Sequence, residues 1–213
     1  MFQSPPGPHL EPMTKPRLSK TNGGSARGRI VAASASLFHS KGYTATGLDE
    51  ILSVARATKG SFYHHFGSKK EIALAVIKEV ISEQFAQRMI APVAKAPEPL
   101  AAIRRVIRTL RTQTATDDLL TGCPINNLAS ELALQDPKLQ KALSALLEQW
   151  QVCWAEALRK ESALEKKTGF KDPRQLSMYL VAAIEGAQAM AKAQQSCAPL
   201  DAVFKHLEAT LTS

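Results

Sequence analysis

Between Thr46 and Lys70 the chain reads TGLDEILSVARATKGSFYHHFGSKK, and this stretch limits the fold more than any other. Leu48, Ile51, Leu52 and Ala55 recur at the spacing of one helical face. Ala55-Arg56-Ala57 interrupts that pattern, and Thr58 is suited to cap a second short helix. Thr46 with Asp49, and Ser68 with Glu71, have the spacing of capping boxes, which predicts one helix opening after Thr46 and a longer one after Ser68. Helices this short are marginal alone and gain stability by packing an apolar face. The expected unit is a three-helix bundle whose first helix carries Ile30, Val31, Ala33, Leu37 and Phe38 and stops at Gly42.

The second short helix is crowded with polar groups. Thr58, Lys59, Ser61, Tyr63, His64 and His65 fall within about two turns. Phe62 and Phe66, at i and i+4, share one face and are expected to point into the small core. Ser61 and His64 share another, and Gly60 permits close backbone approach. This is the make-up of a helix-turn-helix, in which the first helix braces the second and the second presents donors to base edges in the major groove. The candidate DNA-binding residues are Thr46, Arg56, Thr58, Lys59, Gly60, Ser61, Tyr63, His64, His65 and Lys69. For His65 a local cap or stack stands beside the DNA reading.

Charge points the same way. The net charge is +8. Residues 1–80 hold eleven Lys/Arg against five Asp/Glu, a balance of +6, whereas residues 81–213 hold sixteen against fourteen, only +2. An excess on the segment that carries the two-helix motif suits an anionic partner. Residues 1–25 are rich in Pro, Gly, Ser and Thr and are expected to be disordered. Lys15, Arg17, Lys20 and Arg27 read either as a basic arm or as a solvated tail. No apolar run approaches the roughly 18 residues of a membrane span, and the N-terminus lacks the pattern of a secretory signal, so the expected location is the cytoplasm.

Beyond Lys69 every strong segment reads as helix: Lys69 to about Met89, a break at Pro92, Pro97 and Pro99, then Leu100–Thr114, Ile125–Leu134, Lys138 to about Lys160, Pro173–Gln195 and Leu200–Leu211. No alternating β-branched run appears, so the fold class is all-α. Three scattered cysteines, Cys123, Cys153 and Cys197, argue against a disulfide framework or a zinc site. The chain carries no GxSxG, P-loop or HExxH, so neither an enzyme nor a bound cofactor or metal is expected.

The block Leu37-Phe38, Gly42-Tyr43, Thr46, Asp49-Glu50-Ile51 and Lys59-Gly60-Ser61-Phe62-Tyr63-His64-His65-Phe66, followed by Ser68-Lys69-Lys70-Glu71, resembles the TetR family of transcriptional repressors over about Arg27 to Lys78. The resemblance implies a homodimer, a palindromic operator, a helical effector domain and release by a small ligand. The resulting division is 1–25 tail, 26–72 DNA-binding domain, and 73–213 effector-binding and dimerisation domain. Many members have Gly where this chain has Arg56 and Val where it has Ala57. A left-handed backbone there would cost a non-Gly residue about 1 kcal/mol.

Thr121 to Glu131, TGCPINNLASE, is the second unusual segment and looks like that of a TetR subgroup whose members include sensors of reactive or small polar compounds. Cys123 stands near a helix N-terminus, where partial positive charge lowers a thiol pKa, and Arg104, Arg105, Arg108 and Arg111 are candidates to add to it. A buried structural thiol is the alternative. Asn126, Asn127, Ile107, Leu110, Leu146, Trp150, Trp154 and Tyr179 are candidates either to line an effector cavity or to form plain core. Pro173–Gln195, rich in small residues (Ala182, Gly186, Ala189), and 200–211, with Leu200, Val203, Phe204, Leu207 and Leu211, are expected to supply half of a dimeric four-helix bundle.

Overall fold

The computed structural model describes residues 24–112 and 120–211. The predicted tail lies outside the described residues up to 23. Ten helices are present among the described residues: α1 Ala26–Lys41, α2 Leu48–Ala55, α3 Lys59–His65, α4 over 69–94, α5 Pro99–Thr112, α6 Pro124–Leu132, α7 Pro137–Leu158, α8 Leu164–Thr168, α9 Pro173–Gln194 and α10 Ala198–Thr210. Among the described residues there is no strand, and no helix is long and apolar enough to cross a membrane.

Local chemistry sets most of the boundaries. Ser25, Thr58, Asp136 and Asp172 each accept an amide at the start of α1, α3, α7 and α9. Pro opens α5, α6, α7 and α9, where its missing N–H removes no helical bond. Two expectations fail. Gly47, not Thr46, is the N-cap of α2, and the Thr46 hydroxyl donates instead to the Gly42 carbonyl at 2.7 Å. Pro92 does not end the fourth helix, because the coil widens to a π-helical turn over Ala86–Ile90 and resumes with Pro92 in the first turn of Ala91–Ala94. Beside that irregularity the Trp154 indole donates to the Met89 carbonyl at 2.7 Å. The short α8 has no counterpart in the sequence expectation.

Two hydrophobic clusters result. The first joins Ile30, Phe38, Ile51, Phe62, Phe66, Ile72, Val76, Ile77, Val80 and Ile81 to Cys123, Ile125, Leu128, Leu139 and Leu143. The N-terminal head therefore shares one core with α6 and the start of α7. The second gathers the end of α4, α5, the later half of α7, α9 and α10 around Trp150 and Trp154. Phe85 and Leu147 touch both. Leu200, Phe204, Leu207 and Leu211 belong to this second core, so the stripe expected to face another protomer is spent within its own.

Candidate nucleic-acid interface and effector region

Thr58 caps α3 by accepting the Ser61 amide at 3.1 Å. Phe62 and Phe66 are buried beneath the helix, with ring centroids 6.0 Å apart. Their burial fixes which way the rest of α3 faces. Lys59, Gly60, Tyr63, His64 and His65 are exposed, Ser61 is half-buried, and Tyr63 is 63% exposed although it touches the edge of Phe62. A tyrosine left so open on a helix with a well-filled inner face has no packing role to explain it. Lys59 Nζ lies 3.0 Å from Asp49, whose carboxylate raises the ammonium pKa.

The turn before α3 is left-handed at Arg56 (φ 49°, ψ 50°). The Arg56 amide donates to the Ser53 carbonyl at 3.1 Å, and Arg29 clamps the turn from α1 through the Ala55 and Arg56 carbonyls. Arg56, Thr58 and Lys59 are all exposed.

Two predicted contacts are placed otherwise. Thr46 is only 1% exposed and its hydroxyl is engaged, so it fastens the turn before α2 instead of offering a donor to DNA. Lys69 is half-buried, with its ammonium 4.3 Å from the Tyr43 ring centroid, and burial lowers its pKa. Arg27 is not part of a loose arm, because it grips Glu79 with both terminal nitrogens and covers the Phe66 ring.

The head is tied to the body by Glu131 of α6. Its two carboxylate oxygens accept the Tyr43 and Thr44 amides at 2.8 and 2.7 Å. Burial works to raise its pKa, but the Thr44 and Tyr43 donors and Lys192 outweigh it and hold the carboxyl below its usual range. Gly42 (φ 91°) stands against this carboxylate, and a Cβ there would lie 2.6 Å from an oxygen. Gly is needed twice over at that turn. His39 Nε2 meets the Gly122 carbonyl at 3.0 Å, and Lys70 reaches Asp136 at 3.0 Å.

The effector candidates divide. Ile107, Leu110, Trp150 and Trp154 come together in the second core, while Cys123 and Leu146 belong to the first. Tyr179 is on the surface, stacked on Phe170. Asn127 is occupied by the protein, donating to the Thr121 carbonyl at 2.7 Å and accepting from Lys192 at 2.8 Å. Asn126 is half-buried. Cys123 is buried, and burial pushes its thiol pKa well above the usual value, with the facing Glu185 carboxylate adding to the shift. The Asn126 and Ile125 amides pull the other way but do not prevail. Arg111 pairs instead with Asp201 and Glu208 of α10, and Arg108 with Glu208. The expected low-pKa thiolate is absent because desolvation and a like charge defeat the helix terminus.

Glu185 was not foreseen. It lies on α9 at i+4 from buried Val181 and i−3 from buried Gln188, so its spacing already aimed it inward. Both of its carboxylate oxygens are sealed from solvent with only the weak Cys123 thiol donor beside them, and Trp150 Nε1 is sealed without a hydrogen-bond partner. Burial raises the Glu185 pKa to about 7.

Residues 30–76 match the family model described as bacterial regulatory proteins, tetR family. Residues 99–206 match the LmrA/YxaF-like transcriptional regulator C-terminal domain. The chain is 32% identical over 191 residues to the transcriptional regulator AcuR of Cereibacter sphaeroides, covering 87% of each chain. It is 28% identical over 186 residues to the HTH-type transcriptional repressor DhaR of a Mycobacterium species, covering 82% of this chain and 86% of that one. A solved regulatory protein TetR from Rhodobacter sphaeroides superposes with a TM-score of 0.75 at 30% identity, over 86% of this chain and 97% of its own.

Proposed function

The chain belongs to the tetR family of bacterial regulatory proteins and is a DNA-binding transcription regulator; from that premise we propose that it represses its target as a homodimer on a palindromic operator and is released by a small-molecule effector. The observation that carries the reading is the exposed polar face of α3 above buried Phe62 and Phe66. In this reading Thr58, Lys59, Gly60, Ser61, Tyr63, His64 and His65 meet the duplex, with Arg56 at the phosphate rim. Lys59 exchanges Asp49 for DNA. Residues 26–72 act as the reading head and 73–213 as the effector-binding and dimerising body.

Dimerisation is supported by the outer face of α9, where Ala182, Gly186, Ala189, Met190 and Ala193 are exposed and Met178 is 57% open. A Cβ on Gly186 would meet nothing within its own chain. Mid-helix Gly costs about 0.5–1 kcal/mol relative to Ala, and close approach of a second α9 supplies a reason for it. The contribution of 200–211 is confined to its outward residues, Ala202, Lys205, His206 and Ala209. For the effector, the support is the Trp150 indole N–H, buried without a partner, and the Glu185 carboxylate, buried with only a weak thiol donor beside it. Thiol modification of Cys123 is not retained, since a sealed thiol with a raised pKa is a poor nucleophile.

A mobility-shift titration on duplexes from the gene's own upstream region tests the proposal. Saturable, salt-sensitive binding of two protomers per palindrome is expected. Binding by one protomer, or indifference to sequence, would contradict it.

A further inference from the structure

We propose that the Glu185 carboxylate and the Cys123 thiol form the recognition point for an organic cation, whose ammonium or amidinium group supplies the charged partner that Glu185 lacks. This rests on the reading of the chain as an effector-released regulator and names the chemistry of its ligand.

The stem of Glu185 is half-buried, yet both carboxylate oxygens are shut off from water, and the weak Cys123 thiol is the one hydrogen-bonding side chain turned toward them among the described residues. An ionised carboxylate offers about four acceptor sites and no donor. The Cys123 thiol is the one titratable group among the described residues that acts on it, and a thiol is a weak donor. Lys192, seven residues along α9, has its ammonium on Asn127 Oδ1 at 2.8 Å. The site thus pairs a carboxylate that has acceptor capacity to spare with one weak donor. A cation would find a carboxylate with no cationic partner acting on it, in a low-dielectric surrounding. A metal ion fits less well, because no group of three His, Cys, Asp or Glu side chains gathers among the described residues.

The position also explains how occupancy would be felt. Cys123 stands at the N-terminal end of α6, and Glu131 at the other end of α6 holds the Tyr43–Thr44 turn of the head. The two are separated by about 12 Å of helix. A ligand wedged between Glu185 and Cys123 pushes on the start of α6, and the displacement arrives at the turn that precedes α2. The ligand and the DNA then compete for α6 positions, which is the coupling that release requires.

The test is a calorimetric titration of the full chain, without DNA, by hexylammonium, hexan-1-ol and hexanoate, from pH 6 to pH 8. The account expects hexylammonium to bind at least tenfold more tightly than the alcohol at pH 8, and to weaken as the pH falls below about 7 and Glu185 takes up its proton. Glu185→Gln is expected to remove that advantage and leave the alcohol unchanged, with circular dichroism confirming the fold. Glu185→Asp, which keeps the charge on a shorter stem, should retain part of the preference. Failure of all three probes to bind, equal binding of amine and alcohol, a preference for hexanoate that grows at low pH, or retention of the amine by Glu185→Gln would each overturn the site. Duplex binding by the wild-type protein is followed separately. Its absence sinks the repressor reading, while the titration in solution still decides the cation site.

Discussion

The recognition head and the helical body both carry polar groups that the fold does not satisfy, but they carry them on opposite sides. On α3, Tyr63, His64 and His65 face outward, where water meets their hydrogen bonds at no cost. On α9, Glu185 faces inward, where only the weak Cys123 thiol meets it. An outward group can wait for a partner indefinitely. An inward one strains the body until a partner or a proton arrives, so it can report on the presence of that partner.

The contrast breaks most visibly if the outward face is an accident of loose packing. Phe62→Ala removes the ring that orients α3 and is expected to cost 3–5 kcal/mol, about the scale for a buried Phe, with loss of duplex binding. Chemical denaturation checks it, and a cost near zero would mean that α3 is not fixed by its inner face. The inward side is tested by Glu185→Gln. The folded pKa of Glu185, about 7, lies above its usual 4.5. A raised pKa gives stability that is full below about 4.5 and is lost as the pH rises through 7. Wild type should therefore fall behind Glu185→Gln by roughly 3 kcal/mol at pH 8 and draw level near pH 4. Equal stabilities at pH 8 would show that Glu185 already has a partner.

Much of the head was legible in the sequence because its determinants are local. Thr58 caps α3, Phe62 and Phe66 go inward, and Arg56 adopts the left-handed backbone that glycine would take more easily. Thr46 misled because Gly47 can cap through backbone geometry alone, which frees the Thr hydroxyl to turn back to Gly42. In the body, helices and their starts were legible from Pro and periodicity, but side-chain partnerships were not. Whether Cys123 sits on an accessible helix end or behind Glu185 depends on contacts 62 residues apart in sequence. Nothing in the sequence pairs Glu131 with the head, and only the fold reveals that its carboxylate reaches the Tyr43 and Thr44 amides.

The link between the two regions is open to a smaller perturbation. Glu131→Gln keeps the shape but weakens two charge-assisted bonds, for an expected loss of about 2 kcal/mol. Because the Glu131 pKa is depressed, its contribution is present above the usual carboxylate value and vanishes as the pH falls through the folded one. The variant should match wild type in acid and lag behind it at neutral pH. Smallest of all is Arg56→Gly. Relief of the left-handed backbone should add about 1 kcal/mol of stability. If Arg56 meets a phosphate, the slope of log affinity against log salt should fall by about 1. An unchanged slope would confine Arg56 to the turn.

The central claim is that the outer face of α3 reads duplex DNA. Fluorescence anisotropy of a labelled upstream duplex, titrated with wild type and with Tyr63→Ala, addresses it most directly, since Tyr63 is exposed and its removal leaves the Phe62 core in place. The account predicts wild-type binding with a preference for one duplex sequence, and a loss of about tenfold in Tyr63→Ala with unchanged thermal stability, the scale of one lost specific contact. Equal affinity of the two proteins for that duplex would contradict it.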